Sequence, residues 1–125
     1  MNRKTIFLDR DGVINEEKKD YVKNLNEFKI IDGSLQAIKL LKNNNFRVVV
    51  ITNQSAINRG LLSVEKLNEI HNFLKNKLLD LGITLDGIYF CPHTPNENCL
   101  CRKPKPGLLK QAISELDINV KDSLM

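Results

Sequence analysis

The residues of this 125-residue chain that could do chemistry fall into four short clusters. The first, Asp9-Arg10-Asp11-Gly12, directly follows the apolar stretch Thr5-Ile6-Phe7-Leu8. Two carboxylates two residues apart can converge on one pocket if the backbone turns at Gly12, and together they can bind a hard cation such as Mg²⁺ through oxygen. One of the pair, relieved of repulsion by the cation, can attack phosphorus as a nucleophile. The other can protonate a leaving alcohol and then activate water. Taken alone, the same Asp-Gly pair is equally a plain turn. The second cluster is Thr52-Asn53-Gln54-Ser55, at the end of a β-branched run. Its hydroxyl and amide groups, with free backbone N–H groups, suit phosphate oxygens; capping of the segment that follows is the competing reading.

The third cluster runs Cys91-Pro92-His93-Thr94-Pro95-Asn96-Glu97-Asn98-Cys99-Leu100-Cys101. Three thiols and one imidazole match the ligand count of a tetrahedral zinc site, against the alternative of free cysteines in a loop. Cys91 and His93 would form one arm and Cys99 and Cys101 the other. Four protein ligands leave no open position, so the expected role of this zinc is structural. The fourth cluster, Arg102-Lys103-Pro104-Lys105-Pro106-Gly107, follows at once. A proline-stiffened segment can present Lys103 as a point cation and Arg102 as a bidentate fork to phosphate, or it can be a solvated basic loop. His71, between Ile70 and Phe73, is expected to be a structural or surface residue remote from these clusters.

These clusters need elements to hold them. Thr5 to Leu8 and Ile88-Tyr89-Phe90 read as strands, and Phe46 to Ile51, uninterrupted and β-branched, reads as a strand buried on both faces. Leu35, Ile38 and Leu41 share one face of a helix that starts after Asp32-Gly33-Ser34 and ends in Asn43-Asn44-Asn45. Leu67, Ile70, Leu74 and Leu78 trace a second helix, with Ser63 as N-cap, Glu65 in the first turn and Gly82 as terminator. Leu108, Leu109, Ala112, Ile113 and Leu116 trace a third. Strands alternating with helices predict an α/β fold, a Rossmann-like parallel sheet flanked by helices. Ligands of such sheets bind outside the carboxyl ends of the strands, where each of the four clusters falls.

Composition narrows the classes. One small domain fits 125 residues, and 42% hydrophobic with 27% charged residues is ordinary for a globular protein. Val48-Val49-Val50-Ile51, with Phe46 just upstream, is far short of a membrane span, and Asp9 comes too early for a signal-peptide core. A cytoplasmic protein without a membrane partner is expected. The net charge of +4 invites a nucleic-acid partner, but nineteen basic and fifteen acidic residues are interspersed and aromatics are only 6%. Single-strand binders interleave stacking rings with basic residues, and no such stripe exists here. No nucleic-acid partner is expected.

Phe7-Leu8-Asp9-Arg10-Asp11-Gly12, Thr52-Asn53-Gln54-Ser55 and the Cys-x-His…Cys-x-Cys-Arg-Lys-Pro run together resemble the haloacid dehalogenase phosphatase superfamily. Within it they resemble the D,D-heptose 1,7-bisphosphate phosphatases and the related histidinol-phosphate phosphatases. The resemblance covers essentially the whole chain. The aspartate motif identifies only the superfamily, whereas the zinc loop joined to Arg102-Lys103-Pro104 is more specific. The resemblance implies that Asp9 is the nucleophile, forming an aspartyl-phosphate, and that Asp11 is the general acid/base. Both would contact Mg²⁺, Asp11 through its backbone carbonyl. Thr52 and Lys103 would stabilise the transferring phosphoryl group, Asn53, Gln54 and Ser55 would line the substrate site, and Arg102 would help recognise the substrate. Lys18-Lys19-Asp20-Tyr21-Val22 stands where the family has a substrate-contacting Gly-Tyr-Val stretch, which makes Tyr21 a substrate contact and puts Asp20 in place of that Gly. Ala56 stands where many relatives have Gly, while Ile57-Asn58-Arg59-Gly60 resembles the heptose branch.

The activity so implied is Mg²⁺-dependent removal of the 7-phosphate from a heptose 1,7-bisphosphate, by a protein monomeric when full length. It would feed nucleotide-activated heptose synthesis for a surface polysaccharide such as lipopolysaccharide. Histidinol phosphate is the alternative substrate, and a zinc-stabilised module that binds phosphorylated ligands without turnover is the alternative class. Family members continue past the segment resembling Lys121-Asp122-Ser123-Leu124-Met125 into a strand ending in Gly-Asp-x-x-x-Asp, which gives Mg²⁺ another carboxylate. The expectation is therefore a single domain over 1–125, truncated before its C-terminal strand, with the zinc loop at 91–101 inside it. Asp122, at the wrong end of that strand, is not expected to replace the missing carboxylate.

Overall fold

The computed structural model describes residues 4–118, 121 and 123–124. Asp122, considered above as a replacement carboxylate, lies outside the described residues. Thr5–Leu8 forms strand β1, Arg47–Asn53 β2, Gly87–Cys91 β3 and Ser123–Leu124 β4. All pairings are parallel, and the spatial order is β3-β2-β1-β4. The chain thus steps outward from β1 through β2 to β3 and then returns to the other side of β1. The strand order reverses there, and such a reversal opens a crevice at the carboxyl ends. On its other side β1 is paired over two residues, Thr5 with Ser123 and Ile6 with Leu124.

Strand β2 shows why an unbroken apolar run makes a central strand. Side chains alternate between faces with period two. Val48 and Val50 join one core with helices α1 (Ser34–Asn43) and α2 (Val64–Leu79), and Val49 and Ile51 join another with α3 (Gly107–Leu116). All four are fully buried, so neither face tolerates a polar residue. The α2 stripe of Leu67, Ile70, Leu74 and Leu78 is likewise fully buried. Each such side chain contributes about 1.5–3 kcal/mol of transfer free energy.

The helix ends follow their cap residues. Ser63 accepts a hydrogen bond from the Lys66 backbone N–H at 3.1 Å and starts α2. Gly82, at φ +76°, lets the chain leave α2 through paired bonds, Gly82 N–H to Leu79 O and Ile83 N–H to Leu78 O. The Asn43-Asn44-Asn45 stop works as expected, with Asn45 in the left-handed region.

One polar clamp ties α1 to the sheet. Asp86 Oδ2 accepts from Lys42 Nζ and from the Val48 backbone N–H, each at 2.7 Å. Replacing Asp86 with Ala strands a charge and a strand-end donor. The expected result is a loss of about 1–3 kcal/mol, read as a lower urea midpoint with unchanged slope.

Candidate active site

Asp9 is the first residue past β1, and the chain turns immediately after it. Gly12, at φ +83°, donates its N–H to Asn15 O at 2.8 Å, and Ile14 N–H closes back on Arg10 O at 2.8 Å. An L side chain is strained at this φ, so glycine is the natural occupant of the turn. The turn brings Asp9 and Asp11 onto the wall of one cavity of about 480 Å³. Asp9 Oδ1 accepts from the Arg10 backbone N–H at 2.8 Å and faces Lys103 Nζ at 3.1 Å. The second Asp9 oxygen has no protein partner among the described residues, and the side chain is 44% exposed to the cavity mouth.

Lys103 reaches this point because two other contacts place it. Its ammonium donates to Ile51 O at 3.1 Å, at the end of β2. Its backbone is clamped by Asn53, whose Oδ1 accepts from Lys103 N–H at 3.0 Å and whose Nδ2 donates to Lys103 O at 3.3 Å. Asn53 therefore lines the cavity and also fixes the basic loop to the sheet. Ser55, Arg102 and Tyr21 line the same cavity. Arg59 stacks over the Tyr21 ring at 5.8 Å and donates to Ser55 Oγ at 3.3 Å, while Tyr21 itself holds a left-handed φ of +68°. Five cationic side chains (Lys18, Lys19, Arg59, Arg102 and Lys103) face three carboxylates (Asp9, Asp11 and Glu17) around this space. That surplus of positive charge draws in an anion.

Thr52 and Gln54 are placed differently from Ser55. Both are buried behind the cavity wall, and neither lines it. Gln54 Nε2 donates to Thr52 Oγ1 at 2.8 Å and to Asp11 Oδ2 at 3.1 Å, so this pair backs Asp11.

Two residues to which the sequence reading gave no role in the site join it. Arg10, between the two aspartates, is fully buried; its guanidinium lies over the Phe28 ring at 5.5 Å and donates to Asp11 Oδ1. His71 is structural but not remote, which corrects the expectation above: its Nε2 lies 3.1 Å from the Arg10 NH1 group. The signal was present, because Leu67, His71, Leu74 and Leu78 fall on one helical face. Burial, reinforced by the Arg10 charge, lowers the His71 pKa to about 3, so the ring is neutral and accepts from Arg10. An unfolded histidine near 6.5 takes up a proton that the folded protein refuses. Stability from this group is therefore complete above 6.5 and declines as pH falls toward 3. Urea midpoints across that range are expected to fall in the parent and to fall less in H71L.

The Cys/His cluster closes into a compact set. Cys91 Sγ lies 3.3 Å from His93 Nδ1 and 3.6 Å from Cys99 Sγ, and Cys101 Sγ lies 3.1 Å from His93 Nδ1 and 3.8 Å from Cys99 Sγ. Zinc bonds of about 2.3 Å to sulfur and 2.0 Å to nitrogen set tetrahedral edges of roughly 3.5–3.8 Å. The sulfur–sulfur separations match those edges and the sulfur–nitrogen ones are a few tenths of an ångström shorter, so the donors converge on a space of the size of that ion, and the sulfur separations exclude disulfides, whose S–S distance is about 2.0 Å. Burial, with a hydrogen bond to Cys101, pushes the Cys91 thiol up to about 12. Burial also raises the Cys99 thiol, but the Arg102 backbone N–H and the neighbouring sulfurs outweigh it and bring the value to about 7. The loop packs on the start of α3 where Gly107 N–H meets Leu100 O at 2.9 Å. A Cβ at Gly107 would collide with that carbonyl, so the close approach needs glycine. Arg102 donates to His93 O at 3.2 Å, which ties the basic segment to the cluster.

The sequence and the fold both have counterparts among known proteins. A family model described as polynucleotide kinase 3 phosphatase matches residues 4–124. The D-glycero-beta-D-manno-heptose-1,7-bisphosphate 7-phosphatase of Pasteurella multocida is 43% identical over 98% of this chain and 70% of its own. The enzyme of the same name from Helicobacter pylori is 44% identical, again over 98% and 70%. Among solved structures, the D,D-heptose 1,7-bisphosphate phosphatase of B. bronchiseptica, complexed with magnesium and phosphate, superposes with a TM-score of 0.89 at 41% identity. That match covers 94% of this chain and 65% of the Bordetella chain, so the sequence spans about two thirds of these relatives. On sequence and fold together, the chain belongs to the haloacid dehalogenase phosphatases, in the family of the D,D-heptose 1,7-bisphosphate phosphatases.

Proposed function

We propose that this protein hydrolyses a sugar phosphate monoester, the 7-phosphate of D-glycero-D-manno-heptose 1,7-bisphosphate, through an aspartyl-phosphate on Asp9. The observation that carries the reading is the Lys103 ammonium 3.1 Å from Asp9 Oδ1, in a cavity that also holds Asp11. With one Asp9 oxygen held by Arg10 N–H and Lys103, the other is free to attack phosphorus. Asp11 gives its proton to the departing sugar alcohol and later takes one from the water that splits the acyl phosphate. Lys103 offsets charge on the transferring group, while Asn53 and Thr52 act from behind, one by fixing the Lys103 backbone and the other by holding Gln54. Ser55, Tyr21 and Arg102, with Gln54 behind them, shape the substrate side.

The donor set suits Mg²⁺, since hard oxygen ligands stand at an open cavity mouth. The Asp9 carboxylate and the Asp11 backbone carbonyl would hold the ion, which when bound supplies charge neutralisation around phosphate. Cys91, His93, Cys99 and Cys101 would hold a structural Zn²⁺ that keeps Arg102 and Lys103 in place. Among the described residues, no helix is long and apolar enough to cross a membrane.

Phosphate release from three compounds tests the substrate. The heptose bisphosphate, histidinol phosphate and a 3′-phosphorylated oligonucleotide are compared in the presence of Mg²⁺. The bisphosphate is expected to give the highest kcat/KM. Release from histidinol phosphate or the oligonucleotide alone overturns the heptose assignment.

A further inference from the structure

Resting on the reading of Asp11 as acid/base, we propose that Arg10 and His71 are positioning residues for it: His71 on α2 holds the Arg10 guanidinium, and the guanidinium fixes the Asp11 carboxylate. In the turn that follows β1, Asp9 and Asp11 line the cavity while Arg10 between them is buried in the interior. A fully buried guanidinium must find partners for its N–H groups or pay a large desolvation cost. Here Arg10 Nε and NH2 both donate to Asp11 Oδ1, at 3.1 and 2.7 Å, and NH2 also reaches Gln54 Oε1 at 3.4 Å. The NH1 group has His71 Nε2 as its partner at 3.1 Å.

This arrangement decides which Asp11 oxygen does the chemistry. Oδ1 receives three donors, two from Arg10 and one from Asn15 Nδ2 at 2.9 Å, and has no room for a proton. Among the described residues Oδ2 accepts only from Gln54 Nε2, at 3.1 Å, so it is the oxygen that carries the proton to the leaving group and takes one from water. Gln54 completes the link, because its amide touches Arg10 through oxygen and Asp11 through nitrogen. Phe28, over which the guanidinium lies, limits the fork to one plane. Removing the His71 acceptor leaves a buried N–H unpaired and frees the fork to rotate toward another acceptor. Asp11 then loses its orientation without losing any contact to substrate.

The test separates positioning from folding and from the underlying reading. H71L, H71Q and R10K are assayed in the full-length protein on the sugar phosphate and on p-nitrophenyl phosphate, whose leaving group needs no proton. With H71L, kcat on the sugar phosphate is expected to fall about ten-fold or more, with KM within two-fold, since small misplacements of reacting groups cost that much. On p-nitrophenyl phosphate the burst of nitrophenolate is expected to persist while the steady-state rate falls, and the burst amplitude counts correctly folded sites. H71Q, whose amide oxygen can replace Nε2 as acceptor, is expected to recover most of the loss. R10K keeps the charge without the fork and is expected to show the same split as H71L, so it carries the test should H71L fail to fold. Unchanged kcat per burst site in both H71L and R10K overturns the proposal, as does an equal fall of burst rate and sugar-phosphate turnover. D9N run alongside reads the function separately: a dead D9N beside normal H71L and R10K refutes only the positioning role, whereas an active D9N refutes the Asp9 nucleophile on which the proposed mechanism rests.

Discussion

Replacing Asp9 with Asn is expected to abolish phosphate release, with kcat falling at least about 10⁴-fold, as for removal of a catalytic nucleophile elsewhere. The substitution is nearly isosteric and keeps an oxygen toward the Arg10 backbone N–H and Lys103, so the fold has no reason to change. What it removes is the anionic oxygen that has no protein partner among the described residues. Acid-quench trapping checks the same point from the other side: the parent should carry a labelled acyl phosphate during turnover, and D9N should carry none. A D9N protein that still releases phosphate means that another group, or water alone, attacks phosphorus. A parent that binds phosphorylated sugar yet never labels or turns over supports the non-catalytic binding module instead.

Zinc removal is the second large effect. On the proposed reading, chelation or the C91S substitution takes away the ion that the four convergent donors would hold. Cys91 is fully buried at the end of β3, beside Asn53 at the end of β2, and Arg102 and Lys103 follow the last ligand directly. Loss of the ion therefore releases the segment that brings Lys103 to Asp9. Structural zinc carries about 10–16 kcal/mol of apparent binding energy in finger peptides. Even a few kcal/mol of that here would lower Tm by on the order of 10–20 °C. Activity is expected to fall with it, and to return on adding Zn²⁺ to the chelated protein but not to C91S. The thiols must lose protons to bind metal, and burial holds Cys91 up at about 12, so zinc is expected to be lost as pH falls. Metal analysis and a calorimetric scan read both effects. A protein with equal Tm and activity before and after chelation refutes the structural role of the cluster.

What could be read in the chain before folding was what local chemistry controls. Thr5–Leu8 could be read as a short strand, and the run through Val48–Ile51 declared itself as a central one because burial on both faces demands apolar residues at every position. Ser63 and Gly82 marked the ends of α2 because capping is satisfied within a few residues. The convergence of Cys91, His93, Cys99 and Cys101 was legible because three thiols and an imidazole in so short a loop have few uses other than holding a metal.

What only the tertiary structure decided was which polar groups face the cavity and which face inward. Thr52, Gln54 and Ser55 are neighbours in sequence, yet only Ser55 lines the cavity, because the chain leaves β2 through a turn whose direction depends on packing against β3. Arg10 looked like one more charge in an acidic motif; its burial depends on Phe28 and His71, brought from distant segments by α2 and the loop before α1. A charge buried by long-range contacts has no local signature, since its partners are fixed by the helix-to-sheet docking and not by spacing along the chain.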